Sequence, residues 1–240
     1  MTLSVYGLAF PHSAVSQQFE VASVKPSSAD TSSSSGIKTG HGRIDAYNVT
    51  LKRCIMGAYG VGPHQISGGP DWLESDRFQI LAKASEPIDD DGALMIMLQG
   101  LLAERFKLSL HREIRTIPAF VLEVAKKGPK LEKAEAGEAA TNTSTSHSGI
   151  SIDARHADLD SFAKILARRM DLPVVNHTGL KGTFNFKLQW TPDPGTVAPG
   201  PMEGVSIFTA IQEQLGLRLR SKKAPVEIIV IDHVEKPSEN

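Results

Sequence analysis

Eight histidines and a single cysteine are the residues of this 240-residue chain best suited to metal binding or nucleophilic chemistry. The histidines are His12, His41, His64, His111, His147, His156, His177 and His233. None stands in an HExxH motif, and one cysteine rules out a thiolate zinc site, so only a histidine–carboxylate site stays open. The candidate acid–base groups are His64, Asp71, Glu74, His177, Asp232 and His233, and a hydrolase would need several of them within hydrogen-bond reach. Asp232 and His233 read as a hydrogen-bonded pair or as an ordinary strand end, and Asp232 is also a candidate orienter for His177. Asp71, Glu74 and Asp76 cluster around Trp72. That set fits a sugar platform with acid–base carboxylates, but it fits surface acids around a packed tryptophan better.

Cys54 lies in Leu51-Lys52-Arg53-Cys54-Ile55-Met56 and reads as a packing thiol on an apolar helix face rather than a nucleophile. GxGxxG, GxxxxGK[ST], paired CxxC and GxSxG are all missing. No catalytic, cofactor-binding or metal residue is therefore assigned, and no cofactor is expected. Two basic concentrations, Lys107/His111/Arg112/Arg115 and Arg218/Arg220/Lys222/Lys223, read as solvated strand faces or a contact patch. The formal charge is −1, from 26 basic and 27 acidic side chains. Such a balance provides no long-range field for nucleic acid, and no stretch approaches the ~20 apolar residues of a membrane span.

The elements that must position these residues are short. Apolar spacing predicts helices over 51–59, 91–104, 159–170 and 206–215. Asn48 or Thr50 is the cap of the first, and 71–73 reads as one further helical turn. Phe184, Phe186, Leu188 and Trp190 alternate with polar residues, which predicts a half-buried strand over 183–190. Further strands are expected over 19–25, 43–47, 77–83, 106–112, 119–125, 217–221 and 227–233, with a hairpin around 113–118. Trp190 reads as core. Residues 27–42 and 191–204 read as loops.

The order of these elements recurs. Helix 159–170, Leu172–Val175 and strand 183–190 echo helix 51–59, Gln65-Ile66 and strand 77–83. Helix 206–215 and the strands after it echo helix 94–104 and its strands. The expected fold is α+β, with duplicated small helix–strand modules packing short helices against mixed or antiparallel sheets. Residues 19–130 form the first half, 131–149 a linker or long loop, and 150–240 the second half. Residues 1–18 read as the remnant of a secretory signal or a disordered tail.

Many blocks in order carry a family resemblance. They include FEVASVKP (19–26), QISGGPDW (65–72), DRFQILAKA (76–84), MLQGLLAERFKLSLHRE (97–113), LPVVNHTGLKGTFNFKLQWTPD (172–193), SIFTAIQEQLGL (206–217) and VIDHVEKPSEN (230–240). Over about residues 19–240 the chain resembles an uncharacterised family of exported proteins from soil bacteria of the Acidobacteria type. The resemblance implies no activity and no catalytic residues. Where that family commonly has aspartate, this chain has Asn176 and Asn185. The run from Leu159 to Leu188 is also similar, in pattern alone, to the short N-terminal modules of secretins and TonB-dependent receptors.

These readings favour a non-catalytic binding module of the periplasm or extracellular space, with cytoplasm as the alternative location. It would hold a protein or peptide partner in the cell envelope by strand addition. The edge would be Thr183–Trp190 or Glu227–His233. The alternatives are a hydrolase acting on an envelope or environmental polymer and a structural domain that associates with its own copies.

Overall fold

The computed structural model describes residues 18–28, 34–135, 137–146, 149–191 and 204–238. His12, His147, nearly all of the 1–18 segment and most of the 191–204 loop fall outside them. The first half of the chain contains β1 (Val21–Pro26), β2 (Gly36–Gly40), β3 (Arg43–Thr50), α1 (Leu51–Tyr59), β4 (Ile66–Ser67), α2 (Trp72–Ser75), β5 (Arg77–Lys83), α3 (Asp91–Arg105) and β6 (Ser109–Val124). The second contains β7 (Glu132–Lys133), β8 (Ala140–Ser146), β9 (Gly149–Ala157), α4 (Leu159–Ala167), β10 (Val174–Asn176), β11 (Phe184–Trp190), α5 (Ile207–Leu215) and β12 (Leu217–His233).

The fold is α+β, and among the described residues short helices accompany three four-stranded sheets. The strand orders are β1-β5-β3-β2, β10-β6-β12-β4 and β7-β11-β9-β8. The first and third have the same connectivity, since β7, β8, β9 and β11 take the places of β1, β2, β3 and β5. In the middle sheet β6 and β12 pair antiparallel, β10 lies parallel to β6 and β4 parallel to β12. Val174 pairs with Phe120 as Ile66 pairs with Ile229. This arrangement accords with duplicated helix–strand modules. By contacts the described residues form two compact units, one drawn from the ranges 1–59, 71–108 and 234–240, the other from 60–70 and 109–233.

Local chemistry explains the elements. α4 buries Leu159, Phe162, Ala163 and Leu166 at spacings of three and four, the apolar stripe of a helix on a core. Asp158 caps it by accepting the Ser161 N–H at 2.8 Å and the Ser161 hydroxyl at 2.7 Å. Thr50 caps α1, accepting the Arg53 N–H at 3.3 Å. Asn48 does something else. At φ 51° it makes the bulge in β3 where the pairing with β5 shifts. The corresponding position before α4 is His156, at φ 49°, with its own register shift against β11. Each bulge is tied to a neighbour. Arg77 donates to the Asn48 carbonyl at 2.9 Å, and the His156 N–H donates to Asn185 Oδ1 at 3.0 Å. Asn185 thus serves the backbone of β9.

Partial burial pulls the Asp158 carboxyl upward in pKa, but the hydrogen bonds from Ser161 and from the backbone of the first helical turn together hold it below the usual carboxylate value. A depressed folded-state value means stability that is full above the unfolded pKa of about 3.9 and is lost as pH falls through the folded value. Asp158→Ala is expected to cost about 1 kcal/mol at pH 7. The gap from the native protein should narrow as acid protonates the cap, which urea melts at a series of pH values would show.

The structure departs from the sequence reading in the long strands. β6 is continuous over 16 residues, with no hairpin at 113–118, and β12 is continuous over 17. Pro118 and Pro225 lie inside them, opposite Lys223 and Thr116. Among the described residues both prolines lie where the strand has a neighbour on one side only, because β10 reaches only Phe120–Leu122 and β4 only Ile229–Val230. An N–H turned to the open side is dispensable, so proline is tolerated there. The segment 131–149, read as a linker or long loop, contains β7 and β8, and the 27–42 loop contains β2.

Candidate functional site

Two of the three carboxylates around Trp72, Glu74 and Asp76, are already engaged. The Lys52 ammonium binds Glu74 at 2.6 Å, and Lys236 binds Asp76 at 2.6 Å. Hydrogen bonds from these lysines hold both carboxyls below their usual range, the opposite of what a general acid needs. Lys236 also lies over the Trp72 ring, 5.7 Å from its centroid, on a face a sugar would have to use. Trp72 also meets Phe78 edge-on at 6.4 Å, and Phe78 meets Phe106 at 5.2 Å. Leu73, not Trp72, is the fully buried member of this turn.

Asp232 is held by His111, Nδ1 to Oδ1 at 2.8 Å, and not by His177. The other ring nitrogen of His111 lies 3.8 Å from Glu113, so a carboxylate occupies the place where a triad would have its nucleophile. Glu113 also pairs with Arg115, Arg112 with Glu227, and Arg115 donates to the Ser67 hydroxyl at 3.0 Å. The first basic concentration is therefore largely a ladder of ion pairs across β6 and β12. In the second, Arg218 and Lys222 both bind Glu123.

His177 lies in a polar cleft of about 450 Å³ with Asp158, Asp160, Asn176 and Lys181. The polar groups of the cleft are largely used within it. Asn176 donates to Asp160 at 2.9 Å and accepts from the Thr178 N–H at 3.1 Å and the Thr178 hydroxyl at 2.8 Å. These bonds shape the turn that leads into β11. Among the described residues no group of three or more His, Cys, Asp or Glu gathers to hold a metal ion.

Cys54 is 1% exposed on the inner face of α1. Burial pushes its thiol up to about 12. Thiolate is the reactive form, so a thiol reagent such as DTNB is expected to label the native protein negligibly and one equivalent to react in denaturant. Rapid native labelling would contradict the packing.

The exposed backbone is more telling. The two edges favoured by sequence are covered in part. β11 lies between β9 and β7, and beyond the two residues paired with β7 the Gln214 amide caps it. That side chain donates to the Gln189 carbonyl at 2.8 Å and accepts the Gln189 N–H at 2.9 Å, as a neighbouring strand would. β12 lies between β6 and β4, and Gln65 donates to the Glu227 carbonyl at 3.0 Å. β8 ends its sheet, as β2 ends the first, and its edge is open. Among the described residues β9 is its only strand partner, in unbroken register from Ala140↔Arg155 to Ser146↔Gly149. All seven β8 side chains are exposed. The strand reads ATNTSTS, without charge, proline or bulge, the devices that ordinarily blunt an edge. Sequence reasoning missed it for lack of apolar residues. The signal was threonine at alternate positions 141, 143 and 145, a β-branched residue every second place.

A family model described as "Protein of unknown function (DUF3738)" matches residues 52–234. The chain belongs to this family. The DUF3738 match runs from the first turn of α1 to the residue after β12 and so includes β8 and its whole sheet. No curated protein and no solved structure matches the chain. Among the described residues no helix is long and apolar enough to cross a membrane.

Proposed function

We propose that this DUF3738 protein is a non-catalytic binding module that holds a partner by adding an extended strand of it to β8. The observation that carries this reading is the open, uncharged edge of β8 from Ala140 to Thr145. In a ladder, alternate residues turn N–H and C=O away from the existing neighbour, and those groups gain by pairing with another chain. Such an interface needs few special side chains, in keeping with the absence of a catalytic fingerprint. The site of action is the periplasm or the extracellular space. The resemblance to exported soil-bacterial proteins supports this location. The succession α4, β10, turn and β11 supports kinship with the envelope modules of secretins and TonB-dependent receptors.

The test is selection of displayed random peptides on the immobilised protein and on a Thr143→Lys variant whose circular dichroism is unchanged. Enriched peptides should be extended, alternating sequences that bind the variant about tenfold more weakly, because a lysine on the edge opposes strand pairing. If no peptide is enriched, or the variant binds equally well, the reading fails.

A further inference from the structure

We infer that the strand added to β8 is β8 of a second copy of this chain, paired antiparallel about Thr143. This inference rests on the strand-addition reading and names the occupant of that edge. Three observations point to it. First, β8 carries no charged residue, so two copies meet without like-charge repulsion. Second, the strand matches its own reverse. Antiparallel pairing centred on Thr143 sets Thr143 against Thr143 of the second copy, Thr141 against Thr145, and Asn142 against Ser144. Threonine–threonine and other hydroxyl pairs are favourable cross-strand neighbours. Third, the faces agree. Thr141 and Thr143 stand opposite Ala154 and Ile152 on β9, which are buried at 1% exposure each beneath the helices of this unit. Asn142 and Ser144 stand opposite Asp153 and Ser151 on the other face, where the Ser144 and Ser151 hydroxyls are 2.8 Å apart. Because directly paired residues share a face, the threonine rows of both copies fall on the same side. The two four-stranded sheets then run on as one sheet with its helical layers on one side. A C2 contact of this kind is isologous and closes at two subunits. A single strand pair buries little area, so the dimer is weak and concentration-dependent.

Sedimentation velocity of the full chain over roughly 1–100 μM, a range that reveals weak self-association, tests it. The native protein should shift from monomer to dimer with rising concentration. The double variant Thr141→Lys/Thr145→Lys sets lysine against lysine twice and should weaken the dimer about tenfold or more. The double variant Thr141→Lys/Thr145→Glu sets lysine against glutamate twice and should restore it. Neither position is in the core, and circular dichroism will show that both variants are folded. A native protein that stays monomeric throughout overturns the inference, as does equal behaviour of the two double variants. In either case peptides selected on the native edge and lost on Thr143→Lys would leave the strand-addition reading standing.

Discussion

Gly216→Ala is expected to cost about 3 kcal/mol or more, among the largest losses any single methyl group would cause in this protein. Gly216 ends α5 in the left-handed conformation at φ 64°. A side chain there is strained in itself. The added carbon would also collide with the Gly128 carbonyl, the Lys130 nitrogen and the Pro129 Cα. These are backbone atoms and cannot swing aside. They belong to a loop fastened to the helix end, since the Lys130 N–H donates to the Leu215 carbonyl at 2.8 Å and the Ala125 N–H to the Gly216 carbonyl at 2.9 Å. The corresponding position after α3 is Lys107, left-handed at φ 49°. Lys107→Gly should therefore stabilise the protein by about 0.5–1 kcal/mol, the relief of left-handed strain less the extra freedom of the unfolded chain. Urea melts of both variants check the pair. A tolerated Gly216→Ala would contradict the described helix end.

Phe162→Ala should cost about 3–5 kcal/mol, the range for removing a fully buried aromatic ring. Phe162 is 1% exposed on α4 and meets Phe186 of β11 at 4.8 Å in an edge-on contact. It joins helix to sheet at the centre of a core that includes Ile152, Leu166, Leu188 and Trp190. Phe208 of α5 provides the control. It also makes an edge-on contact, with Phe120 at 5.3 Å, but is 40% exposed. Phe208→Ala should cost about 1 kcal/mol, because much of its surface is already in water. Similar losses for the two variants, measured by chemical denaturation, would mean that Phe162 is not the centre of that core.

Local patterning made part of this fold readable. The 3.6-residue recurrence of Leu159, Phe162, Ala163 and Leu166 and the alternation of Phe184, Phe186, Leu188 and Trp190 each reflect one face turned to a core. Their places are as the periodicity predicts. The continuity of β6 and β12 was hidden because His111–Arg115 carries charges that pair across the strands, and because proline ordinarily breaks a ladder. Strand order is set by pairings distant in sequence, so alternation could mark β11 as a strand but not place it inside its sheet. The same distance hid the fate of the acidic cluster, whose partners Lys52 and Lys236 come from remote segments. β8 was hidden for a different reason. A strand that buries no side chain leaves no apolar trace, and only its alternate threonines mark it.

Amide hydrogen exchange of residues 140–146 tests the strand-addition claim most directly. In dilute protein, alternate amides of β8 should be protected by β9 and the intervening ones should exchange freely, as on any open edge. At high protein concentration, or with a peptide selected on the native edge, the intervening amides should become protected too. Amides that are all protected even at dilution would show the edge already covered. Intervening amides that exchange freely under every condition would show that nothing pairs there. Either pattern would contradict the account.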